Sequence, residues 1–430
     1  MDASTATARA PRWYQGITGY QWLVLAVASA GWVFDCFENQ LFNLTRENLL
    51  PDLLGVAGND PAVKFYGDVF IGILLLGGFT GGVLFGSIAD RIGRKPAMMI
   101  TILMYSVFSA LIAFTTSLWQ VGALMFLVAM GTGGEWAVAA ALVAEVFPPH
   151  ARAHASGIFH STSTIGTWLA TLAGLAVGTQ WRYAFLIGVV PALLVLWVRA
   201  GIKESPAWCS KVVAEGGKRR GSFRELLGSR PWGPRAIFGM LLAAVGLATF
   251  WGVTVGSQGM AREFLLGQGV AEAEATARAK FAYGFMVTLG GGLGLFCFGP
   301  LARWLGRRRA FATMLVSATA IVPATCYLPQ TYGQLLCMLP FYGFLTLGFH
   351  AGFAIYFPEL FPTHLRSTGT GFCFNGGRLL AAPMLFFSGW LKAQPGIDLR
   401  LAITMLGMLF LVGLIFLIFL PETKDKPLPE

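Results

Sequence analysis

The feature that most restricts the fold of this sequence is a long series of apolar segments. Roughly twelve stretches, each of about 20 mostly apolar residues, follow one another along the 430 residues. A stretch of this length spans a bilayer as a helix, because lipid offers the backbone no hydrogen-bonding partner outside the helix. The chain is therefore predicted to be an all-α polytopic membrane protein. The predicted spans are 20–44, 66–89, 96–116, 119–146, 155–178, 182–201, 234–257, 280–302, 311–328, 332–357, 367–392 and 398–420.

The distribution of charge favours a membrane over a nucleic acid as the partner, although the formal net charge is +10. Only 12% of the residues are charged, against about 25% in a soluble protein. Lys and Arg accumulate in alternate loops, at 91–95, 203–235 and 303–309. By the positive-inside rule, these loops and both termini are expected in the cytoplasm. The first 16 residues lack the apolar segment of a signal peptide, so the first span is expected to stay as an uncleaved anchor.

The chain contains an internal repeat. The segment GSIADRIGRKPA at 86–97 returns as GPLARWLGRRRA at 299–310, which is 213 positions later. The segment EVFPPHARAHASG at 145–157 returns as ELFPTHLRSTGTG at 359–371, which is 214 positions later. Two motifs with almost the same offset predict two pseudo-symmetric halves of six helices each. The predicted halves are 1–201 and 234–430, joined by a cytoplasmic connector at 202–233.

These motifs carry a resemblance to a known family. The loop GSIADRIGRK, the pair EVFPPHAR and ELFPTHLR, KESPAW at 203–208 and LPETKDKPLPE at 420–430 resemble elements of the major facilitator superfamily. Within it they are similar to metabolite and sialate:proton symporters and to the organic-anion branch with sugar-porter-like motifs. The resemblance implies a plasma-membrane transporter (inner membrane in a bacterium) that works by alternating access. We expect a monomer that needs no cofactor or metal.

The resemblance also implies an ion-pair network that closes the cytoplasmic side. Asp90 is expected to face the positive end of the eleventh helix. Arg94 is expected to pair with Glu145, and Arg307 with Glu359. The alternative is that these residues only orient loops. Arg303 stands where the first half has Asp90, so the second network departs from the pattern. The predicted gating residues are Asp90, Arg91, Arg94, Glu145, Arg152, Arg307, Glu359 and Arg366.

Carboxylates inside spans are the candidates for proton coupling, because an ionisable group at bilayer depth is costly and is usually functional. Asp35 and Glu38 are three residues apart in the first span, so they are predicted to share one helix face. Glu135 follows a glycine-rich turn in GTGGEW, a pattern similar to that of metabolite and sialate symporters. The alternative for each acid is a permanent structural pairing with a cation or a backbone donor.

Arg378 in the eleventh span is the main candidate for substrate binding. Its guanidinium group suits bidentate capture of a carboxylate, and its position resembles that of an arginine in organic-anion transporters. The alternative is a counter-ion for Asp35 or Glu38. Polar and aromatic residues at similar depth complete the predicted site, namely Asn375, His160, Gln258, Trp251 and Tyr356.

These residues favour proton-coupled symport of a small organic anion. A proton-coupled antiporter of a sugar, drug or metabolite and a non-transporting membrane receptor are the alternatives. The paired glutamines typical of sugar porters are missing, which disfavours a hexose. An enzyme is not predicted, because the sequence shows no nucleotide-binding loop, metal cluster or nucleophile arrangement.

Overall fold

The computed structural model describes residues 12–57, 60–178, 180–215, 220–392 and 397–429, and these residues form helices and turns without a strand. The first 11 residues, which belong to the segment predicted to lack a signal peptide, lie outside this range. The described chain contains twelve successive spans. They are α1 (Gly19–Leu54), α2 (Pro61–Ile92), α3 (Arg94–Ile112), α4 (Leu118–Val146), α5 (Pro149–Ser161 and Ser163–Val177), α6 (Trp181–Ile187 and Ala192–Gly201), α7 (Trp232–Gly267), α8 (Glu272–Leu305), α9 (Arg307–Tyr327), α10 (Tyr332–Gly348 and Ala351–Leu360), α11 (Arg366–Lys392) and α12 (Leu399–Gly407 and Leu409–Ile418).

Ten of these spans, counted over the described residues, are long and apolar enough to cross a membrane. The other two are α5 and α11, whose sequences HASGIFHSTST and RSTGTGFCFNGGR are rich in small and polar residues. Both spans pack between the two halves of the chain, so much of their surface contacts protein. A helix in that position can carry polar residues without exposing them to hydrocarbon.

The two halves meet through close backbone contacts that only glycine permits. A Cβ atom at Gly86 on α2 would lie 2.6 Å from the carbonyl oxygen of Ser367 on α11. In the second half, a Cβ atom at Gly299 on α8 would lie 2.6 Å from the carbonyl oxygen of Ala153 on α5. The repeated glycine of the loop motif therefore allows α2 to approach α11 and α8 to approach α5.

The basic loops, the connector and the C-terminal segment lie on one face of the bundle, termed the basic face. The Nε atom of Arg91 donates to the backbone carbonyl of Arg220 in the connector (3.2 Å). The indole N–H of Trp208 donates to the carbonyl of Asp90 (3.0 Å). The Nζ atom of Lys424 donates to the carbonyl of Trp304 (3.1 Å).

Each half repeats the same helix cap on the basic face. A carboxylate of Glu204 accepts from the backbone N–H groups that begin α3, at Arg94 (2.8 Å) and Lys95 (3.1 Å). Glu422 does the same at the start of α9, where it accepts from the N–H groups at positions 307 (2.9 Å) and 308 (3.1 Å). The preceding residues, Gly93 (φ 107°) and Gly306 (φ 93°), adopt a positive φ that favours glycine. A side chain at either glycine would collide with the capping carboxylate.

Candidate functional site

Two carboxyl groups from different spans meet inside the first half. Asp35 on α1 and Glu135 on α4 are both fully buried. Their four oxygens have no hydrogen-bond donor among the described residues, and the two carboxyl groups interact with each other. Gly31, one turn before Asp35, makes room for Glu135, because a Cβ atom there would collide with its Oε1 atom. A single proton shared by the two carboxyl groups would supply the missing donor.

Glu38 lies apart from this pair. Its Oε2 atom accepts a hydrogen bond from the Ser109 hydroxyl (2.5 Å), and its Oε1 atom would lie 2.6 Å from a Cβ atom at Gly188. The sequence predicts Asp35 and Glu38 on one helix face, and the structure adds that the carboxyl group in contact with Asp35 belongs to Glu135. Residues three apart differ by about 60° around a helix, which is enough for one to face α4 and the other α3 and α6.

A cavity of about 240 Å³ lies between the two halves. Of the described residues that line it, only Arg378 carries a fixed charge. On α1 the lining continues from Trp32 towards the Leu54 end, away from the basic face, so the cavity extends towards the opposite face of the bundle. The described lining residues are Trp32, Cys36, Asn39, Gln40, Asn43, Ile71, Leu74, Leu75, His160, Ser163, Thr164, Thr167, Leu247, Phe250, Trp251, Tyr283, Thr288, Leu295, Leu347, His350, Phe374, Arg378 and Ala381.

Arg378 has no salt bridge within the described part of the chain. Its guanidinium carbon lies 5.3 Å from the centroid of the Phe374 ring, one turn earlier on α11. Gly78 on α2 makes room for the guanidinium group, because a Cβ atom there would collide with an amino nitrogen of Arg378. Asp35 is close enough to act on this charge electrostatically without bonding to it. The donors of Arg378 therefore remain available to a molecule in the cavity.

The floor of the cavity is formed by aromatic rings from both halves. Phe374 on α11 stacks on Trp136 on α4, with ring centroids 3.9 Å apart and an interplanar angle of 24°. The indole N–H of Trp136 donates to the Nδ1 atom of His160 on α5 (3.2 Å). The His160 ring in turn stacks on Trp32 at 5.3 Å. These residues bring α1, α4, α5 and α11 together beneath the cavity.

Two lining segments depart from regular α-helix. Phe250–Val255 in α7 and Ala282–Val287 in α8 are π-helical. They carry the lining residues Trp251 and Tyr283, and the Tyr342 hydroxyl donates to the carbonyl of Val253 (2.7 Å). A π-helical turn widens the helix and is often found at functional sites.

Three of the six predicted substrate-binding residues lie outside the cavity lining. The Asn375 side chain donates to the carbonyl of Gly133 (3.2 Å), so it joins α11 to α4. Gln258 lies about two helical turns beyond Trp251 on α7. Tyr356 donates its hydroxyl to the carbonyl of Pro421, which places it at the basic face. Arg378, His160 and Trp251 are the predicted residues that the cavity brings together.

The basic face is closed by contacts between the halves, and Asp90 makes three of them. Its carboxylate accepts from the backbone N–H groups of Ser367 (3.2 Å) and Thr368 (2.8 Å), and from the Thr368 hydroxyl (2.5 Å). These groups lie at the beginning of α11, the helix that Asp90 was expected to face. The carboxylate thus caps the positive end of that helix.

Glu145 connects the two halves through buried ion pairs. It binds Arg94 of its own half (2.8 Å), as expected, and also Arg366 of the other half (2.8 Å). Arg94 in addition donates to the backbone carbonyl of Thr363 in the second half (2.8 Å). All three charged side chains are fully buried, so the pairs hold the halves together away from solvent.

The second half repeats part of this network. Arg307 binds Glu359 (2.7 Å), as expected. The Nε atom of Arg152 donates to the carbonyl of Ala144 (2.8 Å), and that of Arg366 to the carbonyl of Pro358 (3.1 Å), which are equivalent contacts in the two halves. At the position equivalent to Asp90, the buried NH1 atom of Arg303 has no partner among the described residues. The α5–α8 contact therefore lacks the carboxylate cap of the α2–α11 contact.

A membrane-spanning helical bundle that is closed on one face, with a cavity and buried charges at its centre, defines a secondary transporter. The comparison with known families agrees, since residues 65–382 match the Major Facilitator Superfamily. The chain belongs to this superfamily. The all-α fold of two six-helix halves and the family assignment from the sequence are thereby confirmed.

Named relatives cover nearly the whole chain. The probable 4-methylmuconolactone transporter of Cupriavidus pinatubonensis is 29% identical over 426 residues, which are 96% of this chain and 93% of the relative. The sialic acid transporter NanX of Escherichia coli is 29% identical over 390 residues, which are 89% of this chain and 91% of the relative. A solved structure of the proton:xylose symporter XylE with a bound bromodeoxyglucose has a TM-score of 0.76 at 16% identity and covers 95% of this chain and 98% of that one. Because the relatives are transporters, the prediction that this chain is not an enzyme is confirmed.

Sequence reasoning did not single out the rings of the cavity floor. Trp136 directly follows the predicted proton site Glu135, and Phe374 lies one turn before Arg378. An aromatic residue in a span is usually packing, so the residue types gave no reason to select these two. Their closeness to predicted charged residues was the only available signal.

Proposed function

We propose that this chain is a proton-coupled symporter that carries a small organic anion by alternating access. The observation that carries the proposal is the unpaired guanidinium of Arg378 in the cavity wall, with the Asp35–Glu135 pair buried nearby. The guanidinium group binds the carboxylate of the substrate, and the acid pair binds and releases the proton. A partly buried fixed cation favours an anionic ligand, because an unpaired charge at this depth is costly.

The relatives support the acid class of substrate. Their names specify 4-methylmuconolactone and sialic acid, and both compounds carry a carboxyl group. The basic-face contacts support alternating access, because they close one end of the cavity and must separate before a solute can leave there. On this proposal, the protein works as a monomer in the plasma membrane (inner membrane in a bacterium), with the basic face and both termini in the cytoplasm.

The first test is binding and uptake of small carboxylic acids by the full-length protein. Purified protein should gain thermal stability with a carboxylic acid ligand, because a ligand of the folded state shifts unfolding. In proteoliposomes, the same acid should accumulate when a pH gradient is imposed. Uptake of a neutral sugar, or exchange of an acid for protons in the opposite direction, would contradict the proposal.

Substitution of Arg378 tests the anion site directly. Arg378→Lys keeps a positive charge but loses the planar pair of donors, so affinity for the best acid should fall by about tenfold, and further in Arg378→Ala. The control is Arg308→Lys, on the basic face outside the cavity, for which we expect unchanged affinity. Unchanged affinity in both Arg378 variants would make the residue a structural counter-ion.

A further inference from the structure

We propose that the substrate is a planar aromatic or conjugated carboxylic acid with a hydrogen-bond acceptor away from its carboxylate, and that His160 selects it by donating to that acceptor. This inference rests on the proposed function, because it takes Arg378 as the carboxylate site. It adds the shape of the substrate and a second recognition group.

The tautomer of His160 is fixed by its neighbour. An indole N–H can only donate, so the contact from Trp136 (3.2 Å) requires a lone pair on the Nδ1 atom of His160. The proton of the neutral imidazole then lies on the Nε2 atom. That atom has no partner among the described residues and is not enclosed by protein, and His160 lines the cavity. His160 therefore presents an N–H donor to the cavity.

The other histidine of the lining cannot play this part. Both ring nitrogens of His350 face backbone carbonyls, at Leu347 (3.0 Å) and Gly246 (3.1 Å). An N–H on either nitrogen is already directed at the protein. Of the two lining histidines, only His160 has a ring nitrogen left for a ligand.

Each recognition group lies beside an aromatic ring of the cavity lining, Arg378 beside Phe374 and His160 beside Trp32. Arg378 lies against Phe374 (5.3 Å), Phe374 stacks on Trp136 (3.9 Å), and Trp136 bonds to His160. Trp136 is fully buried behind Phe374, so a ligand bound to Arg378 and His160 contacts the lining rings of Phe374 and Trp32. Such a surface favours a flat ligand, because aromatic rings prefer stacked or edge-to-face contact with other flat π-systems.

The remaining walls agree with a small flat ligand. Trp32, Phe250, Trp251 and Tyr283 also line the cavity. The cavity volume of about 240 Å³ is below the range of about 300–1,000 Å³ for drug-sized ligands. A single ring with a carboxylate and one further polar atom matches these dimensions.

Four probes of nearly equal size separate the elements of the proposal. Benzoate has a flat ring without a second acceptor, the pyridine carboxylates nicotinate and isonicotinate add a ring nitrogen, and cyclohexanecarboxylate has a puckered ring. With purified full-length protein, calorimetry should show the better pyridine carboxylate binding about fivefold to tenfold more tightly than benzoate, since it gains one buried hydrogen bond. Cyclohexanecarboxylate should bind more weakly than benzoate.

Variants assign the preference to His160. In His160→Phe the ratio between the pyridine carboxylate and benzoate should fall to about one, because the ring stacking stays and the donor is lost. In His160→Gln the ratio should persist, since the amide nitrogen reaches about the position of Nε2. Trp136→Phe should lower the ratio, because the tautomer is no longer fixed. The control is His150→Phe, at the basic-face end of α5, which should keep the wild-type ratio.

The outcomes are distinguishable. If wild-type protein binds all the acids equally, or if His160→Phe keeps the wild-type ratio, the inference is overturned while the proposed function stands. If no carboxylic acid binds, the proposed function fails as well. If His160→Phe does not fold, the wild-type ratio and the Gln and Trp136→Phe variants still decide the matter.

Discussion

Asp35 illustrates which properties of a single residue can be predicted from sequence in this protein. A carboxylate inside an apolar span is costly, so its importance could be inferred from position alone. Its partner could not, because Glu135 is 100 residues away and meets it only through the packing of α1 on α4 at Gly31. The neighbour in sequence, Glu38, bonds to Ser109 instead. Periodicity gives the face of a helix but not which helix covers it.

The proton site can be tested by neutralising Asp35. Asp35→Asn imitates the protonated acid permanently, so substrate should still bind and exchange between the two sides of liposomes loaded on both sides. Accumulation driven by a pH gradient should be lost, because the proton can no longer be released. The measurement is counterflow beside pH-driven uptake in the same preparation.

Glu38→Gln is the matched comparison for this experiment, since it removes a buried carboxyl group from the same helix but outside the Asp35–Glu135 pair. We expect a milder loss of accumulation. Full pH-driven accumulation in Asp35→Asn would move coupling to another acid, and Glu135→Gln would then be the variant to examine.

At the scale of helices, the caps on the basic face were more predictable than the cavity. The loop motif and its repeat led to the expected contacts of Asp90 with α11 and of Arg94 with Glu145, and both are present. Tyr356 was misplaced because it lies in the tenth span, and sequence alone does not give its depth. The structure puts it at the end of α10 that reaches the C-terminal segment.

Removing the cap on α11 should slow transport without abolishing binding. Asp90→Ala loses three hydrogen bonds to the start of α11, so closure of the basic face becomes less stable. We expect turnover to fall by about fivefold, as the loss of a helix cap of roughly 1 kcal/mol suggests. Affinity for the substrate should stay near the wild-type value, since Asp90 lies outside the cavity lining.

The equivalent position in the other half provides the control. Arg303→Ala removes a side chain whose buried NH1 atom has no partner among the described residues, so turnover should change little. Equal losses in the Asp90 and Arg303 variants would indicate general destabilisation of the fold, and the gating interpretation would be withdrawn.

The cap on α9 should depend on pH through Glu422. Burial alone would raise the pKa of this carboxyl group, but four backbone N–H groups, at Arg307, Lys424, Arg308 and Thr423, outweigh it and lower the pKa below its ordinary value. A lowered pKa means that the cap stabilises the folded protein above the unfolded pKa of about 4.3, and that this contribution is lost as pH falls through the folded value.

Glu422→Gln should therefore lower the unfolding temperature at neutral pH, and the difference from wild type should shrink as the pH falls below about 4. The measurement is thermal unfolding of both proteins across this range. Asp425→Asn, an exposed neighbour in the same segment, is the control and should track the wild type. A difference between wild type and Glu422→Gln that does not depend on pH would show that the carboxylate charge contributes nothing to the cap.

For the whole molecule, closure of the basic face and the position of the cavity determine which side a solute can enter. The native Cys36 lines the cavity and can report this. A membrane-impermeant thiol reagent applied to the face opposite the basic face should modify it, and a bound substrate should slow the reaction. Mass spectrometry of the intact protein measures both the extent of labelling and its slowing by substrate.

Cys36→Ser is the control in this experiment, because the exposed Cys209, Cys297 and Cys337 remain as background. The substrate-protected fraction of labelling should disappear in this variant. Equal labelling of Cys36 from both faces, or no protection by a ligand that binds, would contradict a cavity accessible from one side.

The repeat predicted two related halves, but it could not show how chemical tasks divide between them. Both interacting acids, Asp35 and Glu135, belong to the first half, while the unpaired guanidinium of Arg378 belongs to the second. On the proposed function, mutations around Arg378 can alter which acid is carried without touching the residues that harness the proton gradient. Selection could then adapt such a chain to a new nutrient through one half, while its energy source is inherited unchanged in the other.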